Sequence, residues 1–263
     1  MAKDCQNGQC QSGQCPSKES QEAKKSTENA EISKVVNPFG EIKRVVAVMS
    51  GKGGVGKSSV AAMLATSAQK EGKRVGILDA DITGPSIPKL FGIKERAGIM
   101  EKALMPVKTA NGIKVISINL LLENEDEPVI WRGPIISNVV KQFYEEVNWG
   151  DLDYLFVDLP PGTGDVPLTV MQSLPLNGIV IVTSPQDLVS MIVKKAIRMA
   201  GYIGVKVFGF VENMAYIECP DCGKKIEAFG ESHAEDVAKQ TGIAMLGRLP
   251  LVPEIAKLSD EGK

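Results

Sequence analysis

Short apolar runs alternate with helix-length amphipathic stretches from Lys43 onward. The runs lie at 45–49 (VVAVM), 75–79 (VGILD), 154–158 (YLFVD), 178–183 (GIVIVT) and 207–212 (VFGFVE). A run that is apolar throughout is typical of a strand buried on both faces, and strands that alternate with helices form parallel sheets. The pattern therefore predicts an α/β fold, with a mostly parallel sheet flanked by helices on both faces.

The first 40 residues follow a different pattern. Residues 1–40 are rich in Gln, Ser, Lys, Glu and Asn, and their first branched apolar side chain is Ile32. A segment with so few apolar side chains cannot offset the entropy of ordering by burial. We therefore predict a flexible, cysteine-containing tail over 1–40. The remaining residues, 41–263, have a length that one α/β domain commonly fills.

A glycine-rich loop follows the first apolar run. Its sequence, GKGGVGKS at 51–58, fulfils the G-x-x-x-x-G-K-S/T pattern between a predicted strand and a predicted helix. In such a P-loop, backbone N–H groups surround phosphate oxygens, the lysine neutralises the terminal phosphates and the serine hydroxyl binds Mg²⁺. The predicted phosphate-binding residues are Gly51, Lys52, Gly53, Gly54, Val55, Gly56, Lys57, Ser58 and Ser59.

Three aspartates end two of the apolar runs. Asp79 closes the run at 75–79, with Asp81 two residues later, and Asp158 closes the run at 154–158. A single aspartate in such a place is usually a turn or helix-capping residue. Three of them at the sheet edge that also carries a P-loop favour a functional site, because open α/β sheets bind ligands at the carboxyl ends of their strands. Asp158 stands where a carboxylate would meet the Mg²⁺ of a bound nucleotide.

Five motifs together identify a family. They are SGKGGVGKS at 50–58, DADITGPS at 79–86, WRGP at 131–134, DLPPGTGD at 158–165 and VENM at 211–214. Over about residues 40–263 the chain resembles the Mrp/ApbC branch of the deviant Walker A ATPases, which belong to the MinD/ParA-like superfamily. The resemblance implies an ATPase that carries iron-sulfur clusters to apo iron-sulfur proteins, with ATP, Mg²⁺ and a 4Fe-4S cluster as cofactors.

The resemblance also assigns roles to single residues. It implies that Lys52 reaches across a homodimer interface to the partner's nucleotide, that Asp81 orients the attacking water, and that Asp158 serves Mg²⁺. The predicted catalytic residues are thus Lys52, Lys57 and Asp81. The resemblance further places Asn213 against adenine and makes the segment DLPPGTGD a switch that responds to the γ-phosphate.

A second pair of functional candidates is Cys219 and Cys222, in the loop at 213–228. A C-x-x-C motif suits zinc, a redox pair or an iron-sulfur cluster. A zinc ribbon needs a second such pair nearby, and a thioredoxin-like pair needs the start of a helix after the first strand. An iron-sulfur cluster needs four cysteines, and two copies of the loop on a two-fold axis would supply them. The resemblance implies that arrangement, a 4Fe-4S cluster that bridges two subunits.

The tail contains three further cysteines, Cys5, Cys10 and Cys15, at even five-residue spacing. We treat them as candidate metal ligands. Related scaffold proteins carry four cysteines in a ferredoxin-like tail, so the absence of a fourth here speaks against a self-contained tail cluster. The alternative is a disordered tract that binds no metal.

Charge and hydropathy exclude several partner classes. The formal net charge is -2, which gives no basic field for nucleic acid or an acidic membrane. The first ten residues contain no apolar segment typical of a signal peptide, so we expect a cytoplasmic protein. Two rivals share the P-loop: a MinD/ParA-like positioning ATPase, which needs a membrane helix or basic patch, and a regulatory nucleotide switch whose cysteines bind zinc.

Overall fold

The computed structural model describes residues 36–101, 103–122, 133–185 and 189–262. These belong to the unit Lys34–Lys263. The tail cysteines Cys5, Cys10 and Cys15 and the first two residues of WRGP, Trp131 and Arg132, lie outside the described residues. The predicted tail over 1–40 therefore stays a prediction.

The described chain alternates strands and helices in the predicted manner. In order, the elements are β1 (Val45–Ser50), α1 (Lys57–Lys70), β2 (Val75–Asp79), α2 (Ile87–Leu90), β3 (Gly98–Met100), β4 (Ala103–Met105), β5 (Val107–Lys108), β6 (Lys114–Ile116), a 3₁₀ turn (Ile118–Leu120), α3 (Gly133–Glu145), β7 (Tyr154–Asp158), α4 (Asp165–Gln172), β8 (Gly178–Thr183), α5 (Val189–Tyr202), β9 (Val207–Glu212), β10 (Ile217–Glu218), β11 (Lys225–Ile226), α6 (Ala234–Thr241), β12 (Met245–Arg248) and α7 (Pro253–Glu261).

The main sheet has eight strands in the order β12-β9-β8-β1-β7-β2-β6-β5. Every neighbouring pair is parallel except β5 and β6, which are antiparallel. The prediction of a mostly parallel sheet is confirmed. Two short antiparallel hairpins lie outside this sheet in the described chain, β3 with β4 and β10 with β11.

Both faces of the sheet are covered, as the continuous apolar strands require. Along β1, Val45, Ala47 and Met49 join one hydrophobic cluster, while Val46 and Val48 join the other. Residues of α3, α4 and α5 complete the first cluster, and α1 supplies the second. Alternate side chains of a strand point to opposite faces, so this division shows helices on either side.

Strand order brings the chemically interesting loops together. β1 lies between β8 and β7, and β7 lies between β1 and β2. In the register, Asp158 stands opposite Val48 of β1 on one side and opposite Asp79 of β2 on the other. The loops after β1, β2 and β7 therefore leave the same edge of the sheet. In the described part of the chain, no helix is both long and apolar enough to span a membrane.

Candidate nucleotide site and cysteine hairpin

The loop after β1 has the backbone shape of a phosphate cradle. Gly54 and Gly56 have left-handed φ angles of 78° and 77°, and Gly56 forms the N-terminal cap of α1. A cavity of about 310 Å³ opens beside this loop. Its lining residues are Ser50, Gly53, Gly54, Gly56, Lys57, Ser58, Ser59, Asp81, Ser86, Leu90 and Pro161. Backbone N–H groups at the start of α1 thus face a space that suits an anion.

Asn213, which follows β9, is hydrogen-bonded to the backbone of this loop. Its side-chain Nδ2 donates a hydrogen bond of 2.9 Å to the carbonyl of Val55, and the residue is buried. A Cβ atom placed on Gly56 would lie only 2.2 Å from the same Nδ2. Glycine at position 56 is therefore required twice, by the left-handed backbone and by the approach of the asparagine.

Lys57 lies between two carboxylates at the floor of the cavity. Its Nζ is 2.6 Å from Oδ1 of Asp158 and 3.6 Å from Oδ2 of Asp81. The Ser58 hydroxyl donates a 2.5 Å hydrogen bond to the other Asp158 oxygen. A serine hydroxyl beside a carboxylate is the oxygen donor set that Mg²⁺ prefers, and the lysine is the cation that a phosphate needs. The residues present therefore fit both Mg²⁺ and a nucleotide phosphate.

Asp79 differs from the other two aspartates because no cationic side chain in the described part of the chain forms an ion pair with it. It is fully buried and accepts hydrogen bonds from the backbone N–H groups of Asp81 and Ile87 and from the Ser117 hydroxyl. Burial, followed by the negative charge of Asp158, raises the pKa of Asp79 to about 8. Burial in this position therefore favours the protonated form of the Asp79 carboxyl at neutral pH.

Burial also raises the pKa of Asp158 and of Asp81, and in both cases the charge of Lys57 opposes the rise. Asp81 is the more accessible of the two. It lines the cavity, and its Oδ1 accepts a hydrogen bond of 3.3 Å from the Thr83 hydroxyl. Its carboxyl group therefore faces the space that a bound phosphate would occupy, beside Lys57.

A second cavity of about 280 Å³ shares Ser59 with the first. Its other lining residues are Met63, Asn213, Met214, Leu249, Pro250, Leu251, Val252, Ile255 and Ser259. Most of these side chains are apolar. Met214 is held at φ 58°, a conformation that a non-glycine residue rarely adopts and that is enriched at functional sites. A flat aromatic group on a ligand that starts at the P-loop would fit this second space.

The two cysteines lie at the turn between β10 and β11. The Cys219 N–H donates to the Lys224 carbonyl at 3.0 Å, and Gly223, at φ 68°, donates its N–H to the Cys219 carbonyl at 2.9 Å. Cys219 is half-buried and Cys222 is exposed. Backbone N–H groups of Cys222 and Asp221 donate to the Cys219 sulfur and lower its pKa. The turn thus presents two thiols, and the lowered pKa of Cys219 favours its thiolate, the metal-binding state.

The described residues contain no group of three or more His, Cys, Asp or Glu side chains that could hold a metal ion. Within one chain the hairpin offers its two thiols alone.

Comparison with known proteins shows which family matches this chain, with its P-loop and its cysteine pair. A ParA-type family model, described as NUBPL iron-transfer P-loop NTPase, matches residues 41–263. The chain belongs to this family. Membership confirms the resemblance drawn from the motifs. The family is described as one of iron-transfer NTPases, and this chain has both a P-loop and a cysteine hairpin.

Relatives of this NTPase agree with the family model. An iron-sulfur cluster carrier protein of Clostridium perfringens is 51% identical over 239 residues, which span 88% of this chain and 84% of the relative. One from Methanocaldococcus jannaschii is 44% identical over 232 residues, 88% of this chain and 80% of the relative. A solved nucleotide-binding protein of Archaeoglobus fulgidus, in complex with ADP, is 49% identical with a TM-score of 0.77, covering 84% of this chain and 87% of that one.

A more distant structure bears on the fold alone. MinD of Aquifex aeolicus is 21% identical, with a TM-score of 0.58, and the match covers 84% of this chain and 87% of that one. It shares the P-loop architecture of the present NTPase.

Of the nine predicted phosphate-binding residues of this NTPase, six line the first cavity and three do not. Gly51 packs against α5, where a Cβ would lie 2.0 Å from Ile192. Val55 is buried and contributes its carbonyl to Asn213. Lys52 is half-buried, and its carbonyl accepts a hydrogen bond from the Ser50 hydroxyl. Its side chain does not line this cavity.

Sequence reasoning did not find the second cavity. Its far wall is the segment from Leu249 to Ile255, which reads in the sequence as an ordinary stretch after a short strand. The available signal was the pair of prolines in LPLVP, Pro250 and Pro253, directly after the strand-like MLGR. Prolines at a strand end mark a turn at the functional edge of such a sheet.

Proposed function

We propose that this NTPase is an ATP-hydrolysing iron-sulfur cluster carrier that holds a 4Fe-4S cluster between two copies of the chain and passes it to apo-proteins. The observation that carries the proposal is the pair of half-buried Cys219 and exposed Cys222 at the tip of a hairpin, on a member of an iron-transfer family. Two reduced thiols of this kind suit the cytoplasm. The relatives named as cluster carriers support the same function.

The nucleotide end of the site supports ATP binding. The triphosphate would lie against the P-loop, and Lys57 would exchange part of its contact with Asp158 for the terminal phosphates. Ser58 and Asp158 would hold Mg²⁺, which when bound neutralises charge on the phosphates. Asp81, placed beside Lys57 in the cavity wall, would orient the attacking water. Phosphoryl transfer depends mainly on such positioning and charge neutralisation.

The base would occupy the second cavity. Asn213 lies in its wall beside Met214, and the same asparagine holds the Val55 carbonyl of the P-loop. In this proposal Asn213 therefore serves both the loop and adenine. The solved relative that binds ADP supports a purine nucleotide as the ligand class.

Two features favour a homodimer. A 4Fe-4S cluster takes four cysteines, and the folded domain offers Cys219 and Cys222. A two-fold axis near the hairpin would supply the other pair from a second copy. Lys52, whose side chain is not part of its own cavity wall, would contact the partner's nucleotide and add a cation in the manner of an arginine finger.

The segment DLPPGTGD would act as the switch. The N–H of Gly162 in this segment donates a 2.8 Å hydrogen bond to the Ser50 carbonyl at the end of β1, and Pro161 lines the first cavity. A γ-phosphate in that cavity would therefore contact the segment directly and could alter its backbone contact with β1.

Cluster transfer tests the function. The full chain, reconstituted anaerobically with ferrous iron and sulfide, should restore the activity of an apo 4Fe-4S enzyme. Replacing Cys219 or Cys222 by serine should abolish the transfer because each change removes a ligand. The matched control replaces Cys5, Cys10 and Cys15 by serine and should still transfer. The proposal would be contradicted if the tail-cysteine variant lost the cluster while the Cys219→Ser and Cys222→Ser variants kept it. A colourless preparation that contains zinc and binds no iron during reconstitution would favour the regulatory nucleotide switch.

A further inference from the structure

An ion pair between a buried carboxylate and a half-buried arginine lies at the end of β9, next to the nucleotide-site asparagine. Glu212, the last residue of β9, has no solvent exposure and directly precedes Asn213. Nε of Arg248, the last residue of β12, donates to Oε2 of Glu212 at 2.8 Å. The Ser232 hydroxyl lies 2.8 and 2.7 Å from the two Glu212 oxygens. This carboxylate is therefore paired and hydrogen-bonded, as a buried charge requires.

Arg248 also reaches the cysteine hairpin. Its Nη2 donates a hydrogen bond of 3.2 Å to Oε1 of Glu227, the residue that directly follows β11. One guanidinium thus joins the buried end of β9 to the exposed base of the hairpin. A planar guanidinium has donors on separate edges and can serve two carboxylates at once, which a single ammonium group does less well.

Backbone hydrogen bonds connect the same two regions. Ala215 N–H donates to the Leu249 carbonyl at 2.8 Å, and Leu251 N–H donates to the Tyr216 carbonyl at 2.7 Å. Leu249 and Leu251 line the second cavity, and Tyr216 leads directly into β10. The wall of the base cavity is therefore hydrogen-bonded to the stem of the hairpin that carries the cysteines.

We propose that Arg248 is a positioning residue that couples the base cavity to the cysteine hairpin. The hairpin needs such an anchor because its strands are two residues long and every residue from Pro220 to Gly230 is exposed. Ligand in the second cavity fixes the segment from Leu249 to Leu251, and the adjoining Arg248 carries that restraint to Glu227. Coupling between two sites is reciprocal, so cysteine occupancy then changes nucleotide affinity by the same factor. The inference deepens the proposed function, since it assigns the contact through which nucleotide regulates the cysteine site.

Glu227→Ala isolates this link. The change removes the hairpin end of the bridge and leaves the Glu212–Arg248 pair intact, whereas loss of Arg248 would leave a buried carboxylate without its cation. The matched control is Glu231→Ala, an exposed glutamate four residues further on that forms no ion pair within the described part of the chain. Arg248→Lys is a second test, since it keeps the charge and loses the two-sided contact.

Hydrogen–deuterium exchange of the metal-free full chain, with and without saturating ADP, measures the coupling. The peptide to follow contains the Cys219 and Gly223 amides, which are hydrogen-bonded in the turn. ADP should slow their exchange about fivefold in the parent chain and in Glu231→Ala, and less than about twofold in Glu227→Ala and Arg248→Lys. The ratio with and without ADP is the readout, because a hairpin that is merely looser would exchange faster in both states.

Two results would overturn the inference: an ADP effect of the parent size in Glu227→Ala and Arg248→Lys, or no ADP effect in the parent chain. Because the chain carries no metal in this experiment, neither result depends on whether it can load or transfer a cluster. Failure of the coupling and failure of the carrier function are therefore separate outcomes.

Discussion

At the scale of single residues, Asp79 and Asp158 stand opposite each other on neighbouring strands, but among the described residues a cation contacts Asp158 and none contacts Asp79. Lys57 and the Ser58 hydroxyl satisfy Asp158. Asp79 has backbone N–H groups and the Ser117 hydroxyl instead. Two buried carboxyls so close together are most stable when one is protonated, and the one without a cation keeps the proton.

This proton makes stability depend on pH. Between pH 5 and pH 7 folded Asp79 stays protonated, because its pKa is about 8, whereas the unfolded carboxyl, with its ordinary pKa of 3.8, is ionised. The folded state then binds more protons than the unfolded state. The free energy of unfolding should therefore fall as pH rises, by up to about 1.4 kcal/mol per pH unit from Asp79. The raised pKa values of Asp81 and Asp158 act in the same direction.

Asp79→Asn should flatten this dependence, because the amide has no proton to lose. Urea unfolding of the nucleotide-free chain at pH 5, 6 and 7 measures the slope for both proteins. Identical slopes for the parent and Asp79→Asn would mean that Asp79 is already ionised in the folded chain.

Asp81 and Lys57 should separate hydrolysis from binding. Asp81→Ala should still bind ATP, with a loss of about 100-fold or more in phosphate release, because it removes the group that orients water and leaves Lys57 in place. Lys57→Ala should lose productive binding and cost about 3 kcal/mol of stability, since Asp158 loses its buried cation. Calorimetry and phosphate release distinguish the two changes.

Asp151→Ala is the control for these variants, because Asp151 is exposed and precedes β7 at the opposite edge of the sheet. It should hydrolyse ATP at the parent rate. Phosphate release at that rate by Asp81→Ala would remove Asp81 from the mechanism.

The sequence predicted the residues of the first cavity well and those of the second poorly. A P-loop is a short continuous segment, here Gly53 to Ser59, and its motif indicates both the backbone conformation and the class of ligand. The second cavity joins Met63 of α1 to Leu251 and Ile255, nearly two hundred residues away. Such a cavity depends on how the helices pack against the sheet, and the pattern of a single sequence does not contain this packing geometry.

At the scale of elements, the junction of β1, α1 and β9 holds the nucleotide loop. Gly56→Ala should place a methyl group against the Asn213 amide and force a left-handed backbone on alanine. We expect roughly a tenfold loss of ADP affinity by calorimetry, because the loop and Asn213 are both displaced.

Gly72→Ala is the matched control for this prediction. Gly72 has the same φ of 77°, lies just beyond α1 and has open space where the Cβ would be. It should lose about 1 kcal/mol of stability and bind ADP with parent affinity. Equal ADP affinities in the two variants would show that the Asn213 contact does not shape the loop.

Element prediction succeeded where strands are long and apolar throughout. β1, β2, β7, β8 and β9 correspond to the five predicted runs, and each is five or six residues long. β5, β6 and β12 were missed because two to four residues are too few to show a period. For the same reason the sequence pattern predicts a loop where β10 and β11 form a hairpin, although the spacing of the two cysteines identifies them as candidate ligands.

At the scale of the whole molecule, the proposed cluster needs a second chain. The described part of one chain presents Cys219 and Cys222 and no third ligand beside them. The cluster would therefore stabilise the dimer by linkage, because only the associated state supplies all four thiolates. The tail cysteines stay candidate ligands with no structural description.

Anaerobic sedimentation velocity of the reconstituted full chain, followed by both protein and visible cluster absorbance, tests this central claim most directly. The account predicts that the visible absorbance sediments with a dimer that contains about four iron atoms. Cys219→Ser should sediment with less dimer and without the visible absorbance, and it should bind ADP as the cluster-free parent does, because the cysteine lies outside both nucleotide cavities. Visible absorbance that sediments with a monomer, or that persists at parent intensity in Cys219→Ser, would contradict a cluster held between two hairpins.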